Sequence, residues 1–430
     1  MNRNLQPENN SRTNENRADV VAAAQTPTRW TRRKFLSNST GLAIAGAIGG
    51  LATQLPASAH ESAPGETNHP AARNDAKAPS ARVTSNAAAS PASTRAAASA
   101  KPRRIILDTD PGIDDMMAIF LALRSPELKV EAITPVCGNV PLEFTLPNAL
   151  RLVEIAGRPD VPVAAGASHP LLRRLVTAGH VHGANGLAGV DFPEPKIKPV
   201  RETAPEIIRR IVRENPGEIT IVAVGPLTNV ALALRSDPEL AAMIPQVAIM
   251  GGSLSGGNMT PAAEFNLYVD PEAARIVFDA EIPLTMVGLD VTRKCQLTEP
   301  QIQQLEAAQN PVSQTAGKVM RATYERMRKG GEVTAITMHD PLTIASLIDP
   351  DVITLKDYYV EVETEGEWTA GQTLGYDGHA PVRKSPPMDT SMPGPSAPEE
   401  PFKPNSKVAV GVNPEKFFHL LLPRLTGAAA

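Results

Sequence analysis

Cysteines and clusters of positive charge are scarce in this chain of 430 residues. Its only two cysteines, Cys137 and Cys295, exclude a fold that depends on a framework of disulfides. Lysine and arginine number 42 against 46 aspartates and glutamates, and the one basic cluster lies in the N-terminal segment. A surface built for nucleic acid or anionic membrane is therefore not expected, and a small molecule is the better candidate for a partner.

The chain also lacks a long apolar run that would predict a membrane-spanning helix. The segment Thr31-Arg-Arg-Lys-Phe-Leu36 precedes a weakly apolar stretch from Gly41 to Ala52, and Ala57-Ser-Ala59 follows. This order resembles a twin-arginine export signal with a signal-peptidase site. The apolar stretch is shorter than the roughly 20 residues that a bilayer requires, so no stable membrane insertion is expected apart from the signal.

The N-terminal region therefore divides into two predicted segments that precede the folded part. Residues 1–59 are the signal region, and residues 60–101 are a disordered linker because their Ala, Pro and Ser composition offers no periodic apolar face. Residues 102–430 are the predicted folded domain. We expect export by the twin-arginine route to the periplasm or the medium, and an uncleaved signal stays open.

Short β-branched runs alternate with amphipathic stretches throughout the predicted domain. Six runs indicate strands: Arg103–Leu107, Val130–Val136, Val161–Ala165, Ile219–Val224, Val247–Met250 and Ile282–Val287. Four stretches fit the helical period: Leu146–Ile155, Ala204–Arg213, Leu227–Leu234 and Pro271–Phe278. This order predicts an α/β fold with a mostly parallel, Rossmann-like open sheet flanked by helices. Such sheets bind ligands at the carboxyl ends of their strands.

Four carboxylates follow the first predicted strand, in Asp108-Thr-Asp110-Pro-Gly-Ile-Asp114-Asp115. Carboxylates this close repel one another and raise each other's pKa unless a cation holds them, which points to Ca²⁺ or Mg²⁺. An alternative makes Asp114 a helix N-cap and Asp115 a first-turn acid favoured by the helix dipole. That alternative leaves Asp110 unexplained.

Polar or glycine residues also follow the later strands, at Gly138-Asn139, Gly225 and Gly251-Gly252. A glycine-rich loop from Gly251 to Asn258 leads to Glu264 and Asn266. In an extended segment, a spacing of two places both side chains on one side, as suits sugar hydroxyls. The alternative is a solvated loop.

Histidines stand in two further motifs. In Met338-His339-Asp340-Pro341, the aspartate can begin a helix, which is its purely structural interpretation. The stretch Gly179-His-Val-His182-Gly183 indicates an active-site loop. Its two histidines could bind Zn²⁺, although neither a cysteine nor a third histidine stands nearby.

Taken in order, these motifs resemble those of a nucleoside hydrolase of the inosine–uridine-preferring type. The resemblance runs from Arg103 to Ile348 and resumes at Val408–Phe418. The motifs are DTDPGIDD, Gly138-Asn139, Gly225-Pro-Leu-Thr-Asn229, Met250-Gly-Gly252, Glu264-Phe-Asn266, Asp270-Pro-Glu-Ala-Ala274 and His339-Asp-Pro341.

The resemblance implies a Ca²⁺-dependent enzyme that cleaves the N-glycosidic bond of ribonucleosides, giving ribose and free base. It implies that the Ca²⁺ ligands are Asp110, Asp115, the carbonyl of Val224 and Asp340, and that Asp110 also takes a proton from the attacking water. His339 would serve the leaving base. The residues implied to bind substrate are Asp114, Asn139, His182, Met250, Asn258, Glu264, Phe265 and Asn266. Relatives form oligomers, so a homodimer or homotetramer is expected.

The chain departs from the family pattern in two places. The segment Arg326–Val333 lacks the aromatic and basic pair that some relatives place over the base, and neither Trp30 nor Trp368 stands in a matching motif. A histidine at position 339 resembles the subgroup that acts on inosine and pyrimidine nucleosides, but the preferred base stays open. Residues 377–407 are rich in Pro, Ser and Met and predict a long loop insertion.

Two other functions are compatible with parts of the sequence. A hydrophobic strand that ends in Asp-x-Asp also opens haloacid-dehalogenase-like phosphatases, where the first Asp is a nucleophile and Mg²⁺ the cofactor. That interpretation gives no role to Glu264-Phe-Asn266 or to His339. The other alternative is an exported nucleoside-binding protein that holds Ca²⁺ and ribose without turnover.

Overall fold

The computed structural model describes residues 101–331, 334–378 and 403–427. Its strands in these ranges are β1 Arg103–Thr109, β2 Leu128–Pro135, β3 Ile219–Ala223, β4 Gln246–Met250, β5 Leu284–Val287, β6 Gln296–Thr298, β7 Ala335–Thr337, β8 Ile353–Val362, β9 Thr373–Tyr376 and β10 Ser406–Val412. The signal region, nearly all of the linker and most of the 377–407 insertion lie outside the described residues, so these domain assignments stay predictions.

Helices connect most of the strands. They are α1 Ile113–Arg124, α2 Leu142–Ile155, α3 Gly179–His182, α4 Ala204–Glu214, α5 Thr228–Ser236, α6 Phe265–Val269, α7 Pro271–Phe278, α8 Leu289–Thr292, α9 Glu299–Ala307, α10 Pro311–Lys329, α11 His339–Ile348 and α12 Pro414–Thr426. Two short 3-10 helices span Pro238–Met243 and Pro350–Val352. No helix in the described ranges is long and apolar enough to cross a membrane.

The main sheet has eight strands in the order β2-β1-β3-β4-β5-β10-β8-β9. The pairs from β2 to β10 are parallel, whereas β8 pairs antiparallel with β10 and β9 with β8. A separate antiparallel pair joins β6 and β7. The predicted α/β fold with a mostly parallel sheet is confirmed.

Helices cover both faces of this sheet, and β1 shows how the sequence divides between them. Ile105 and Leu107 pack on the face of α1, α10, α11 and α12, while Ile106 packs on the opposite face with α4, α5 and α7. All three side chains are fully buried. A strand covered on both faces carries a continuous apolar run, as this one does.

The strand predicted at Val161–Ala165 is wrong. Only a single parallel bridge forms there, between Ile133 and Val163. Pro162 has no N–H to donate to a neighbouring strand, which limits pairing to an edge contact. The predicted strand at Ile282–Val287 begins two residues later, after Pro283.

Candidate active site

The acidic motif lies where β1 ends and α1 begins. Gly112 is the N-cap of α1, so the interpretation of Asp114 as N-cap is wrong. Asp115 instead satisfies the helix start, since its Oδ2 accepts the N–H of Gly112 at 2.9 Å and its Oδ1 accepts the N–H of Asp110 at 3.1 Å. The Thr109 hydroxyl also donates to Asp115 Oδ1, at 2.5 Å. This carboxylate is therefore held rigidly before any ligand arrives.

Asp114, Asp115 and Asp340 bring three buried carboxylates together. One oxygen of each lies within 4.8 Å of the other two, and Asp340 comes from the first turn of α11. Burial raises the pKa of Asp114 to about 7, and repulsion from Asp115 adds to this effect. The pKa of Asp340 is raised well above its usual range by burial first and then by the three neighbouring aspartates. A bound cation would relieve this repulsion.

The Asp110 side chain packs between two glycines, which follow β2 and β3. A Cβ on Gly138 would lie 2.0 Å from Asp110 Oδ2, and one on Gly225 would lie 2.7 Å from its Oδ1. Oδ2 accepts the N–H of Asn139 at 2.7 Å. Oδ1 is buried and has no hydrogen-bond partner in the part of the chain that the structure describes. An oxygen left in this way is available to a cation or a water molecule.

The donor set fits a hard divalent cation, because its members are carboxylate oxygens, the kind of ligand that Ca²⁺ and Mg²⁺ take. The carboxylate group differs from the implied carboxylate ligands in two residues. It contains Asp114, which we assigned to ribose, and it does not contain Asp110. The roles of these two residues and of the Val224 carbonyl stay predictions.

Asp108 belongs to the motif but not to this group. Its Oδ2 accepts hydrogen bonds from Thr134 Oγ1 at 2.6 Å and from Asn229 Nδ2 at 2.8 Å, which ties β1 to β2 and α5. Burial raises its pKa to about 7, although both hydrogen bonds oppose that shift. Asp108 is thus a structural carboxyl beneath the site.

Glu264 and Asn266 are buried, with exposed fractions of 2% and 5%, so the alternative of a solvated loop is wrong. They stand at the start of α6 rather than in an extended segment, which corrects our geometric argument. Glu264 accepts the N–H groups of Gly252, Asn266 and Leu267 at 3.0–3.2 Å. Asn266 Nδ2 donates to the carbonyls of Val224 and Met250 at 2.9 and 3.1 Å.

Two buried or half-buried histidines complete the site. His182 Nδ1 accepts the N–H of Ile113 at 3.1 Å, and burial lowers its pKa to about 3. His339 Nδ1 lies 2.8 Å from Thr292 Oγ1, and burial followed by the charge of Arg293 lowers its pKa to about 4. Both imidazoles are therefore neutral at neutral pH.

The zinc alternative gains no support from the described residues. His180 is exposed, and the one candidate metal cluster found in these ranges consists of the three carboxylates. The segment from Gly179 to His182 is a helical turn rather than an irregular loop.

A cavity of about 230 Å³ lies at the site. All the residues predicted to bind substrate line it, together with Val224, His339 and Asp340, whereas Asp110 and Asp115 are not among its lining residues. Other lining residues were not predicted: Ile113, Ala178, His180, Val181, Met259, Met327, Ile336 and Thr337. Met327 belongs to α10, whose Arg326 donates a hydrogen bond to the carbonyl of Val181. In the sequence, the only indication that this segment lies at the site is that Arg326–Val333 replaces the residues that some relatives place over the base.

Comparisons with known proteins agree with this geometry. The family model described as inosine-uridine preferring nucleoside hydrolase matches residues 105–419. The chain is 49% identical over 272 residues to the pyrimidine-specific ribonucleoside hydrolase RihA of Salmonella agona strain SL483, covering 63% of this chain and 87% of the relative. RihA of Salmonella arizonae is 45% identical over 323 residues, covering 75% and 97%.

Solved structures show the same fold. A plant nucleoside hydrolase matches with a TM-score of 0.67 and 38% identity, over 76% of this chain and 99% of its own. A purine-preferring ribonucleoside hydrolase from Gardnerella vaginalis matches with a TM-score of 0.66 and 31% identity, over 76% and 98%.

Calcium should stabilise the protein more at about pH 8 than at about pH 5. The raised pKa values mean that between pH 3.8 and about 7 the folded state binds protons that the unfolded state does not, and Ca²⁺ must displace them. We expect about 1 mM Ca²⁺ to raise the melting temperature by several degrees at the higher pH and far less at the lower. Differential scanning fluorimetry measures this, and an equal shift at both pH values would argue against carboxylate ligands.

Gly138→Ala should weaken Ca²⁺ binding, because the new Cβ would collide with Asp110 Oδ2. We expect an affinity lower by about tenfold or more, the equivalent of roughly 1.4 kcal/mol. Gly378→Ala is the matched control, since a Cβ there meets no atom of the described residues within 4 Å. Isothermal titration calorimetry compares the two variants, and unchanged affinity in Gly138→Ala would show that the position of Asp110 does not matter for the cation.

Proposed function

Because the chain belongs to the inosine-uridine preferring nucleoside hydrolase family and is an N-glycosyl hydrolase of ribonucleosides, we propose that it acts on pyrimidine ribonucleosides with Ca²⁺ as its cofactor. The observation that carries the proposal is the group of three buried carboxylates, two of which line the cavity. Asp110, in the same motif, adds a buried Oδ1 that has no hydrogen-bond partner among the described residues. Identity of 45–49% to pyrimidine-specific relatives, against 31% to a purine-preferring one, supports the choice of base.

Asp110, Asp115, Asp340 and the Val224 carbonyl are the proposed ligands of the cation. Bound there, Ca²⁺ would supply positive charge that acidifies a water molecule and orients the ribose hydroxyls. Asp110 is the proposed general base. Burial and the charge of Asp115 raise its pKa well above the usual range while no cation is bound. Its Oδ1 has no hydrogen-bond partner among the described residues and can therefore accept a proton from the water. It takes one proton as the water oxygen bonds to the anomeric carbon.

The ribose lies at the charged end of the cavity in this proposal. Asp114, Asn139, Asn258, Glu264 and Asn266 bind its hydroxyls, and Met250 lies beneath the sugar ring. Several of these side chains are already fixed by backbone hydrogen bonds, as Asn258 is by the N–H of Phe265 at 2.9 Å. Preorganised contacts of this kind favour the transition state, in which the sugar carries positive charge, over the ground state.

The base lies at the neutral end, among His182, Phe265 and His339. The bond between the anomeric carbon and the base nitrogen breaks, and its electron pair leaves with the base. A neutral imidazole stabilises that departing anion by donating a hydrogen bond, and solvent then supplies the proton. The family membership argues against the phosphatase alternative.

Export by the twin-arginine route is proposed from the sequence motif alone. We expect the double variant Arg32→Lys/Arg33→Lys to stay in the cytoplasm of a bacterial host that has this route, while the unaltered chain reaches the periplasm or the medium. Arg12→Lys/Arg17→Lys is the matched control outside the motif. Immunoblots of cell fractions decide, and equal distribution of all three chains would contradict the proposal.

Asp110→Asn should abolish most turnover, because the amide cannot accept the proton of the attacking water. We expect kcat for uridine to fall by about 100-fold or more, the lower end of what general-base catalysis supplies. Asp108→Asn is the matched control two residues earlier in the chain, since its carboxyl is bonded to Thr134 and Asn229 and does not belong to the carboxylate group of the site.

Release of reducing sugar from uridine, cytidine, inosine and adenosine, with Ca²⁺ and with chelator, measures both variants and ranks the bases. Retained turnover in Asp110→Asn would remove Asp110 from the mechanism. Absence of release by the unaltered chain, with Ca²⁺ bound, would favour the binding protein without turnover.

A further inference from the structure

Thr292, at the end of α8, directs its side chain to His339. It is fully buried, and its Oγ1 lies 2.8 Å from Nδ1 of His339. That ring nitrogen is the one hydrogen-bond partner of the hydroxyl among the described residues. The contact joins segments 47 residues apart, so the distance depends on the tertiary fold and not on local chain geometry.

The contact indicates which ring nitrogen of His339 carries the proton. A buried hydroxyl requires an acceptor for its proton, and leaving that proton unpaired costs about 1–3 kcal/mol. Here the acceptor is Nδ1. In a neutral imidazole one nitrogen accepts and the other donates, so the ring proton resides on Nε2.

Nε2 is free to serve a ligand. It has no hydrogen-bond partner in the ranges that the structure describes, and His339 lines the cavity beside Thr337 and Ile336. An N–H beside a cavity that has no protein acceptor can be satisfied by a ligand that enters.

The turn that carries Thr292 is fixed to the loop from Gly251 to Asn258. Asp290 accepts the N–H of Leu254 at 2.8 Å and the hydroxyl of Ser255 at 2.5 Å. Arg293 donates to the carbonyl of Gly257 at 2.5 Å. Thr292 therefore has little freedom to move away from the imidazole, and the loop that carries Asn258 shares its anchor.

We propose that Thr292 is a positioning residue that holds His339 in the Nε2–H tautomer, so that this N–H is offered to the departing nucleobase. The inference rests on the proposed function and adds a residue to it. The proton stays on Nε2 as a hydrogen-bond donor while the electron pair of the broken bond moves to the base, and Asp110 receives the proton of the attacking water. Without the Thr292 hydroxyl, the proton can move to Nδ1 and leave an acceptor facing the base.

Substrates with different leaving groups separate this role from a general structural one. Uridine needs a hydrogen bond to its departing base, whereas 4-nitrophenyl β-D-ribofuranoside releases a stable anion that needs little help. We expect Thr292→Val, which preserves shape and removes the hydroxyl, to lower kcat for uridine about tenfold with little change in KM. The same variant should hydrolyse the nitrophenyl riboside within about twofold of the unaltered chain.

Two variants control the comparison. Thr292→Ser keeps a hydroxyl and should restore most of the uridine turnover. Thr323→Val removes a buried hydroxyl that bonds only within α10, to the carbonyl of Val319, and should leave both substrates unaffected. Equal loss on both substrates in Thr292→Val, or no rescue by serine, would overturn the inference. Failure of the unaltered chain to cleave either substrate would instead overturn the proposed function.

Nitrogen NMR tests the tautomer directly in the unaltered chain, so the inference stays testable even if Thr292→Val folds poorly. With ¹⁵N-labelled histidine, the signals of His339 are assigned by their absence from His339→Gln. We expect a protonated Nε2 and an unprotonated Nδ1. A protonated Nδ1 would contradict the inference.

Discussion

The crowding of buried carboxylates at the end of β1 is the constraint on which the rest of the site depends. Asp110, Asp114, Asp115 and Asp340 all have raised pKa values, with burial as the largest cause in each case. Such a group is costly unless each charge is neutralised by protons, by N–H donors or by a cation. The fold supplies N–H donors to Asp115 and Asp110, but it leaves one oxygen of Asp110 unpaired. The remaining charge is what a divalent cation would balance.

The sheet topology makes this crowding geometrically feasible. Because β2 and β3 pair with β1 on either side, the segments that follow all three strands meet at one edge. Gly138 and Gly225 then leave just enough room for the Asp110 side chain between them. A side chain at either position would occupy the space of the carboxylate, so both glycines serve close packing rather than an unusual backbone angle.

Much of this arrangement follows from the sequence because its determinants are local. Apolar runs such as Arg103–Leu107 predict buried strands, and the polar residues directly after them must lie at the same edge of a parallel sheet. The errors arise where one residue overrides a pattern. Pro162 limits a predicted strand to one bridge, and the side chain of Glu264 caps the start of a helix where we assumed an extended segment.

The contributions that the sequence did not reveal come from distant segments. Met327 reaches the cavity from the last turn of α10, and Thr292 reaches His339 from α8, each through contacts that no spacing rule encodes. Their positions depend on how helices pack after the sheet has formed, and a single sequence carries no signal for that packing.

In the proposed mechanism the ribose lies among the carboxylates and the base among the histidines, and this division has a chemical consequence. Carboxylates around the ribose would stabilise the positive charge that develops on the sugar as the glycosidic bond breaks. At the base end, burial keeps His182 and His339 neutral. A positively charged imidazole would repel both the cation and the positive charge that develops on the sugar. The N–H of a neutral imidazole still stabilises the negative charge on the departing base. Because its pKa is low, His339 is better suited to donate a hydrogen bond from a neutral ring than to act as a general acid, which must carry an extra proton before the reaction begins.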